Sequence, residues 1–266
     1  DELLMVLFIL LSIKQFILIA LKSEWYRIPL AIMFFVFARL SKENAILIFG
    51  VVPVLLYFLN ADYKKIAVIV LILLCSFISF VVIKRFFLET GGGGRIYLFY
   101  ENPLFFQSNY MDRISVGLYC SLEYLKLLIY PHHLSFYYGY NQIPMANFYF
   151  WQVWLSLFIF VPTGVYGFYL FLKRRVLGLG IVLWFGVMLG VINIFFPIVG
   201  IMADRFAYFF SIGFCIVLGY LLLKGLNISI LKKENKIVLP IKSAIIFSII
   251  LCVYSGRVIA RNVNWH

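Results

Sequence analysis

The sequence predicts an all-α polytopic membrane protein. Hydrophobic residues make up 64% of the chain and charged residues 13%, and several apolar runs approach the roughly 20 residues that cross a bilayer. Helices are expected because isolated strands leave backbone groups unpaired in lipid, and no barrel-type alternation is visible. The net charge is +12, but the bases cluster between the apolar runs. This pattern is typical of membrane-protein loops rather than of nucleic-acid binding.

Eight spanning helices and one interfacial helix are expected. The segment from 114 to 130 is predicted to lie at the outer interface, because Glu123 and Lys126 stand at helical i, i+3 spacing. Together the segments form a domain over 1–260, with an outer loop over 86–149, and 261–266 would begin a linker to a further domain. The nine apolar segments are 3–21, 28–40, 45–60, 66–83, 114–130, 150–172, 176–199, 207–223 and 243–260.

The basic clusters predict the orientation of the chain. The cluster 173–175, the basic loop over 224–242 and the pair 64–65 should all face the cytoplasm. All three clusters can face the cytoplasm only if the segment from 114 to 130 does not cross the membrane. The polar breaks that then gather at the outer face are Ser41–Asn44, Lys84–Arg85, Asn102–Pro103, Pro131–His133, Asp204–Arg205 and Arg261–Asn262.

The charges at this outer face indicate a candidate site. Asp204 and Arg205 are adjacent within an otherwise apolar stretch from 176 to 223, where charges are tolerated only if paired or wet. Lys42 and Glu43 either form a structural ion pair, with each other or with the first two, or contact substrate. Because charges of both signs gather on the outer side, we expect a polar or phosphorylated substrate drawn from the outer leaflet.

Further candidates are a cation and an aromatic patch. Arg85 is the first choice for a phosphate contact, because a guanidinium matches phosphate oxygens; alternatively it snorkels at a helix end. Tyr138 belongs to an aromatic patch that forms an interfacial belt or stacks on a sugar or prenyl chain.

No metal site or cofactor is predicted. His132 and His133 are adjacent, so they point in different directions, and no third ligand stands at a suitable spacing. The four cysteines occur singly in apolar segments and are interpreted as small hydrophobic residues.

A series of short motifs follows the same order as in one enzyme family. The motifs are Ser41-Lys-Glu-Asn-Ala-Ile46, Arg85, Asn102-Pro-Leu104, Tyr124-Leu-Lys-Leu-Leu128 with Pro131 and Leu134-Ser135, Val191-Ile-Asn-Ile194 with Pro197, Met202-Ala-Asp-Arg-Phe-Ala-Tyr208 with Gly213-Phe214, and Arg261-Asn262 with Trp265. They resemble the membrane part of the transmembrane and tetratricopeptide-repeat-containing O-mannosyltransferases and their bacterial relatives, in the C-type glycosyltransferase (GT-C) superfamily.

The resemblance implies a GT-C-like multi-helix bundle. Such an enzyme transfers a sugar, usually mannose, from a polyprenyl-phosphate carrier to Ser or Thr hydroxyls of an acceptor protein on the non-cytoplasmic side. Relatives carry their catalytic carboxylates in a first outer loop that we expect upstream of this chain. The catalytic residue is therefore unknown, and this fragment by itself is expected to be inactive.

The resemblance also gives the site residues their roles. The sequence departs from the family at Asp204, where relatives commonly have Glu, and at Phe210, near which they often have Pro. A bacterial inner membrane is expected, with the site facing the periplasm; in a eukaryote it would face the endoplasmic reticulum lumen. The expected donor-phosphate or substrate-binding residues are Arg85, Lys42 and Arg205, and the supporting residues are Glu43, Asp204, Asn102 and Tyr138.

Three alternatives stay open. The acceptor could be a lipid or an envelope glycan. The protein could instead transport or flip polyprenyl-linked sugars, although this predicts inverted repeats that are not visible between the two halves. It could also be a structural anchor for a repeat domain, in which case charge-neutral substitutions in the outer cluster should be silent.

Overall fold

The computed structural model describes residues 1–87, 98–106, 109–131, 134–135, 137–138, 141–226, 231–233, 236–238 and 241–262. These residues are mostly helical, with turns, irregular loops and one antiparallel pair of three-residue strands, β1 (Leu231–Lys233) and β2 (Lys236–Val238). The helices are α1 (Glu2–Lys22), α2 (Ile28–Ser41), α3 (Ile48–Phe58), α4 (Tyr63–Phe87), α5 (Tyr110–Ile129), α6 (Trp151–Leu172), α7 (Val176–Leu189), α8 (Asp204–Gly225) and α9 (Ile241–Asn262).

Five of these helices are long and apolar enough to cross a membrane, namely α1, α4, α6, α8 and α9. The coarse prediction of a helical membrane protein is therefore supported. Three further predicted spans are shorter: α2 and α7 have 14 residues each, and α3 has 11 residues after the 3₁₀ turn Glu43–Leu47. A straight helix of 14 residues rises only about 21 Å, less than the hydrocarbon thickness of about 30 Å.

Glycines allow close approach between α6, α7 and α8. A Cβ added at Gly213 would lie 2.3 Å from the backbone nitrogen of Trp184, and one at Gly167 would lie 2.2 Å from Ile181 Cγ2. The Trp184 ring packs against Phe214, with centroids 5.1 Å apart. Small residues at helix crossings are the usual means of tight packing in membranes, where lipid offers no hydrophobic driving force between helices.

The ends of the helices collect at two opposite ends of the bundle. At one end, Lys65 Nζ donates to the carbonyl of Ala20 at 3.1 Å and to Ser23 Oγ at 2.7 Å, and the Arg174 guanidinium lies 5.0 Å from the Tyr57 ring centroid. We call this the basic end. At the other end the start of α1 meets the end of α2, the end of α4 and the start of α8. We call this the cleft end.

The predicted continuous segment from 176 to 199 is wrong as a single helix. The helix α7 stops at Leu189, and an irregular loop over 190–203 leads to α8. Gly190 lies against Leu47, where a Cβ would come within 2.4 Å of Leu47 Cδ2, and Asn193 has a left-handed φ of 64°. Gly and Asn adopt such backbone states most readily, and Pro197 blocks continuation of a helix.

The segment predicted at 114–130 is a helix, α5, which starts four residues earlier. Asn109 caps it through its side-chain oxygen, which accepts a hydrogen bond from the Met111 amide at 3.1 Å. One face is buried at Val116, Cys120 and Tyr124. The charged residues of α5, Asp112, Arg113, Glu123 and Lys126, all lie at partly or fully exposed positions, which gives the helix the amphipathic character that an interfacial helix requires.

Candidate substrate cleft

A cleft with a volume of about 660 Å³ opens at the cleft end. It is bounded by the end of α2, the turn that follows α2, the last part of α4, the start of α8 and two loops, 98–106 and 190–203. The charged residues in its lining come from four separate elements and are Arg39, Lys42, Glu43, Lys84 and Arg205.

Two ion pairs occupy the α2 side of the cleft. The backbone of Lys42 is extended, which ends α2 and turns the chain into the 3₁₀ turn that follows. Lys42 Nζ lies 3.2 Å from Glu2 Oε1, and Lys84 Nζ lies 3.8 Å from Glu43 Oε1. The Lys84–Glu43 pair is largely exposed and is worth at most about 1 kcal/mol, so Lys84 can exchange its carboxylate for an anionic ligand at small cost. The Glu2 side chain is only 15% exposed, so Lys42 exchanges its carboxylate less readily.

Arg39 contributes a cation from the last turn of α2. Its Nη1 donates to the carbonyl of Glu43, and its guanidinium lies 5.2 Å from the Phe77 ring centroid and 5.5 Å from that of Phe80. Contacts with ring faces attract a cation without neutralising it. The guanidinium is thus held in place while it keeps its positive charge.

Arg205 approaches the cleft from the first turn of α8. Its guanidinium lies 5.3 Å from the ring centroid of Phe206. The start of a helix carries unsatisfied N–H groups and the positive end of the helix dipole, which favour anions. Arg205 therefore adds a side-chain cation to a backbone region that already attracts negative charge.

Asp204 has a different partner from its neighbour. Its carboxylate accepts hydrogen bonds from the Ser135 amide and from the Tyr138 hydroxyl, the latter at 3.1 Å, and its own amide donates to the Ser135 carbonyl at 3.3 Å. Asp204 therefore fastens Ser135 and Tyr138 to the start of α8. It is not among the described residues that line the cleft.

Tyr138 belongs to the same network. Burial, and to a lesser extent the neighbouring Asp204 carboxylate, raise the pKa of the Tyr138 hydroxyl well above its ordinary value. The hydroxyl stays protonated and donates to Asp204. Tyr138 also lines two smaller cavities of about 70 and 170 Å³ beside the large cleft.

Asn102 is buried beneath the cleft rather than exposed within it. Its side-chain oxygen accepts a hydrogen bond from the Leu104 amide at 2.9 Å and so caps the 3₁₀ turn Pro103–Phe105. Its amide group reaches Asn193 in the other loop.

The cleft brings together three of the predicted residues, Lys42, Glu43 and Arg205. Arg85 is exposed in the last turn of α4, and its neighbour Lys84 lines the cleft instead. Successive helical residues point about 100° apart, so only one of the two can face a given cavity. The ligand-binding roles of these residues stay predictions.

Three contributors were not among the predicted site residues. Glu2 pairs with Lys42, and it lines a small cavity of about 10 Å³ that shares Asn44, Arg205 and Phe206 with the cleft. Arg39 was not predicted although it lies in the last turn of α2, just before the break at Ser41–Asn44 that marked the candidate site. Lys84 could have been found by considering both residues of the Lys84–Arg85 pair.

Among the described residues, no three His, Cys, Asp or Glu side chains lie close enough together to hold a metal ion. His132 and His133 lie outside the described residues.

Comparisons with protein-family models, with curated proteins and with solved structures gave no match. The likeness to O-mannosyltransferases therefore rests on the short motifs alone, and the activity has to be argued from the chemistry of the cleft.

Proposed function

We propose that this chain is the membrane domain of a glycosyltransferase that uses a polyprenyl-phosphate sugar as donor, and that the cleft receives the donor phosphate. The observation that carries the proposal is the convergence of Arg39, Lys42, Lys84 and Arg205 on one cleft between apolar helices. Cations of this kind match phosphate oxygens, and the surrounding helices suit a lipid tail.

The proposal includes a topology of eight crossings. In it α2, α3 and α7 cross as short helices together with the five long ones, and α5 lies along the outer interface. The chain then alternates between the two ends of the bundle, and the clusters at the basic end face the cytoplasm by the positive-inside rule. The cleft consequently faces the periplasm or the cell exterior.

The reaction requires deprotonation of an acceptor, stabilisation of a phosphate leaving group and positioning of the sugar near an oxocarbenium-like centre. The cleft cations meet the second of these requirements, because negative charge grows on the phosphate as the sugar–phosphate bond breaks, and fixed cations stabilise it. We assign no general base among the described residues. Mannose as the sugar, and protein Ser or Thr hydroxyls as acceptors, follow from the resemblance.

Arg85 keeps a role at the rim in this proposal. It is exposed next to Lys84, so it can attract the anionic donor towards the cleft before the phosphate is bound. Removing it should affect donor capture more than the turnover of bound donor.

The test is sugar transfer by the full-length protein in membranes supplied with radiolabelled polyprenyl-phosphate mannose. We compare the wild type with Arg205→Ala, Lys42→Ala and Arg85→Ala at matched expression. Lys64→Ala at the basic end is the matched control, because it removes a cation of the same bundle away from the cleft.

We expect label in protein for the wild type and for Lys64→Ala, a loss of at least tenfold for Arg205→Ala and Lys42→Ala, and a smaller loss for Arg85→Ala. Label in lipid or in an envelope glycan would support the proposed donor and show that the acceptor is not a protein. No label in any acceptor, with the protein folded, would contradict the proposal and favour a transporter or an anchor.

A further inference from the structure

Two buried asparagines join the loops that flank the cleft. Asn102 is 0% exposed and Asn193 is 1% exposed. Asn102 Nδ2 donates to Asn193 Oδ1 at 2.9 Å and to the carbonyl of Ile198 at 2.8 Å. Asn193 Nδ2 donates to the carbonyl of Ile201 at 2.8 Å, and Asn193 Oδ1 also accepts from the Ile198 amide at 2.9 Å.

These hydrogen bonds act on the cleft wall itself. Asn102 holds the turn whose last residue is Phe105, and both asparagines hold the backbone at Ile198. Phe105, Ile198 and Val199 all line the cleft. The two loops lie 91 residues apart in sequence, and the amide pair is a direct polar link between them.

The geometry points to the Asn102–Asn193 pair as a positioning device that fixes both loop walls of the cleft and thereby sets its affinity for a lipid-linked phosphate. Only the statement about the ligand rests on the proposed function. Neither asparagine touches substrate in this proposal. Buried hydrogen bonds that are fully satisfied specify one arrangement, because every alternative leaves a buried polar group without a partner.

The direction of each hydrogen bond distinguishes the two asparagines. In Asn102→Asp the donating amide is replaced by a carboxylate oxygen that faces two acceptors, Asn193 Oδ1 and the Ile198 carbonyl. In Asn193→Asp the side chain still accepts from Asn102 and from the Ile198 amide, but it loses the donation to Ile201 and sets one carboxylate oxygen against that single carbonyl. The first substitution should therefore disturb the wall more than the second.

The test measures how accessible the wall is, without any ligand. Val199→Cys is introduced into the full-length protein after the exposed cysteines Cys75, Cys215 and Cys252 are changed to alanine. Its reaction rate with a polar maleimide is measured in detergent with each asparagine variant and compared at each pH with the parent that carries both asparagines. The matched control is Asn109→Asp, because a carboxylate can cap α5 as the native amide oxygen does.

We expect Asn102→Asp to raise the labelling rate at least fivefold at pH 8, Asn193→Asp to raise it about twofold, and Asn109→Asp to leave it unchanged. At pH 5 protonation of the new carboxyl at position 102 restores one donor, so the excess rate should fall. A void or a packing defect would not respond to pH in this way.

Equal labelling rates in all variants would overturn the positioning role. Should Asn102→Asp fail to fold, Asn193→Asp decides alone, and a rate equal to that of the parent overturns the inference. The ligand statement is tested by transfer kinetics, where the donor KM should rise in the same order while kcat changes less. If every protein, including the parent, lacks transfer activity, the proposed function fails while the labelling result stands.

Discussion

The two ends of the bundle carry similar charged residues in different surroundings. At the basic end, Lys65 binds a backbone carbonyl and a hydroxyl, and Arg174 lies over a tyrosine ring. At the cleft end, cations from separate helices face one cavity and alternate with carboxylates, as in the pairs of Lys42 with Glu2 and Lys84 with Glu43. Cations that bind helix ends within the bundle fit a role in topology, whereas cations from separate elements that converge on one cavity fit a role in binding an anion.

The largest effect should come from reversing a charge at the cleft end. Arg205→Glu places a carboxylate at the start of α8, where it would repel a phosphate that Arg205 attracts. A charged hydrogen bond is worth about 1.5–3 kcal/mol, so sugar transfer should fall by about 10- to 100-fold or more. Transfer is measured in membranes at saturating acceptor. The same reversal at the basic end, Arg174→Glu, should leave turnover per folded molecule within about twofold, and an equal loss there would remove the distinction between the two ends.

A substitution between the two ends of the bundle should lower the thermal stability of the whole protein. In Gly213→Ala the new methyl group meets the Trp184 backbone at 2.3 Å, so α7 and α8 must separate. Overpacking of this kind costs about 1–3 kcal/mol, which lowers the melting temperature in detergent by several degrees. Gly219→Ala is the matched control on the same helix, because nothing lies within 4 Å of the added Cβ. If both variants melt alike, the close contact between α7 and α8 is not a determinant of stability.

A smaller effect of opposite sign, tighter binding of the donor, is expected when the carboxylate that pairs with Lys42 is neutralised. Glu2 is partly buried, with a side chain 15% exposed, and competes with a phosphate for the ammonium group. Glu2→Gln keeps the shape and removes the competing charge, so the donor KM should fall by at least about threefold, because the lost pair is less exposed than a surface ion pair. Steady-state kinetics against donor concentration check this expectation. A collapse of kcat with unchanged KM would instead assign Glu2 a part in the chemistry.

The smallest effect belongs to the basic end. Lys65→Met keeps the length of the side chain and removes its hydrogen bonds to the end of α1. Exposed contacts of this kind are worth about 0.5–1 kcal/mol, so the melting temperature should drop by only a few degrees and sugar transfer per folded molecule should not change. A strong loss of transfer would show that the basic end is coupled to the cleft.

The sequence predicts the helices well because apolar length and charge clusters are local signals. The break after Leu189 was not predicted, since the stretch from Val191 to Pro197 is mostly apolar, and its departure from a helix depends on Pro197, the left-handed backbone of Asn193 and the buried amide link. That link depends on a residue 91 positions away, which a local pattern does not reveal.

The site is predicted only in part for a related reason. Charged residues mark helix ends, but their side-chain directions depend on helix phase and packing. Lys84 rather than Arg85 lines the cleft for this reason, and Asp204 fastens a loop while its neighbour Arg205 lines the cavity. Glu2 was not predicted as a site residue, because its partner Lys42 lies beyond the end of another helix.

The most direct test of the account is photo-crosslinking of a polyprenyl phosphate that carries a photoreactive group next to the phosphate, in membranes containing the full-length protein. The account predicts labelled peptides from 39–44 and 197–206, competed by unlabelled polyprenyl phosphate and reduced in Lys42→Ala and Arg205→Ala. Labelling that concentrates at the basic end, or labelling of the cleft that neither the competitor nor the two substitutions reduce, would contradict it.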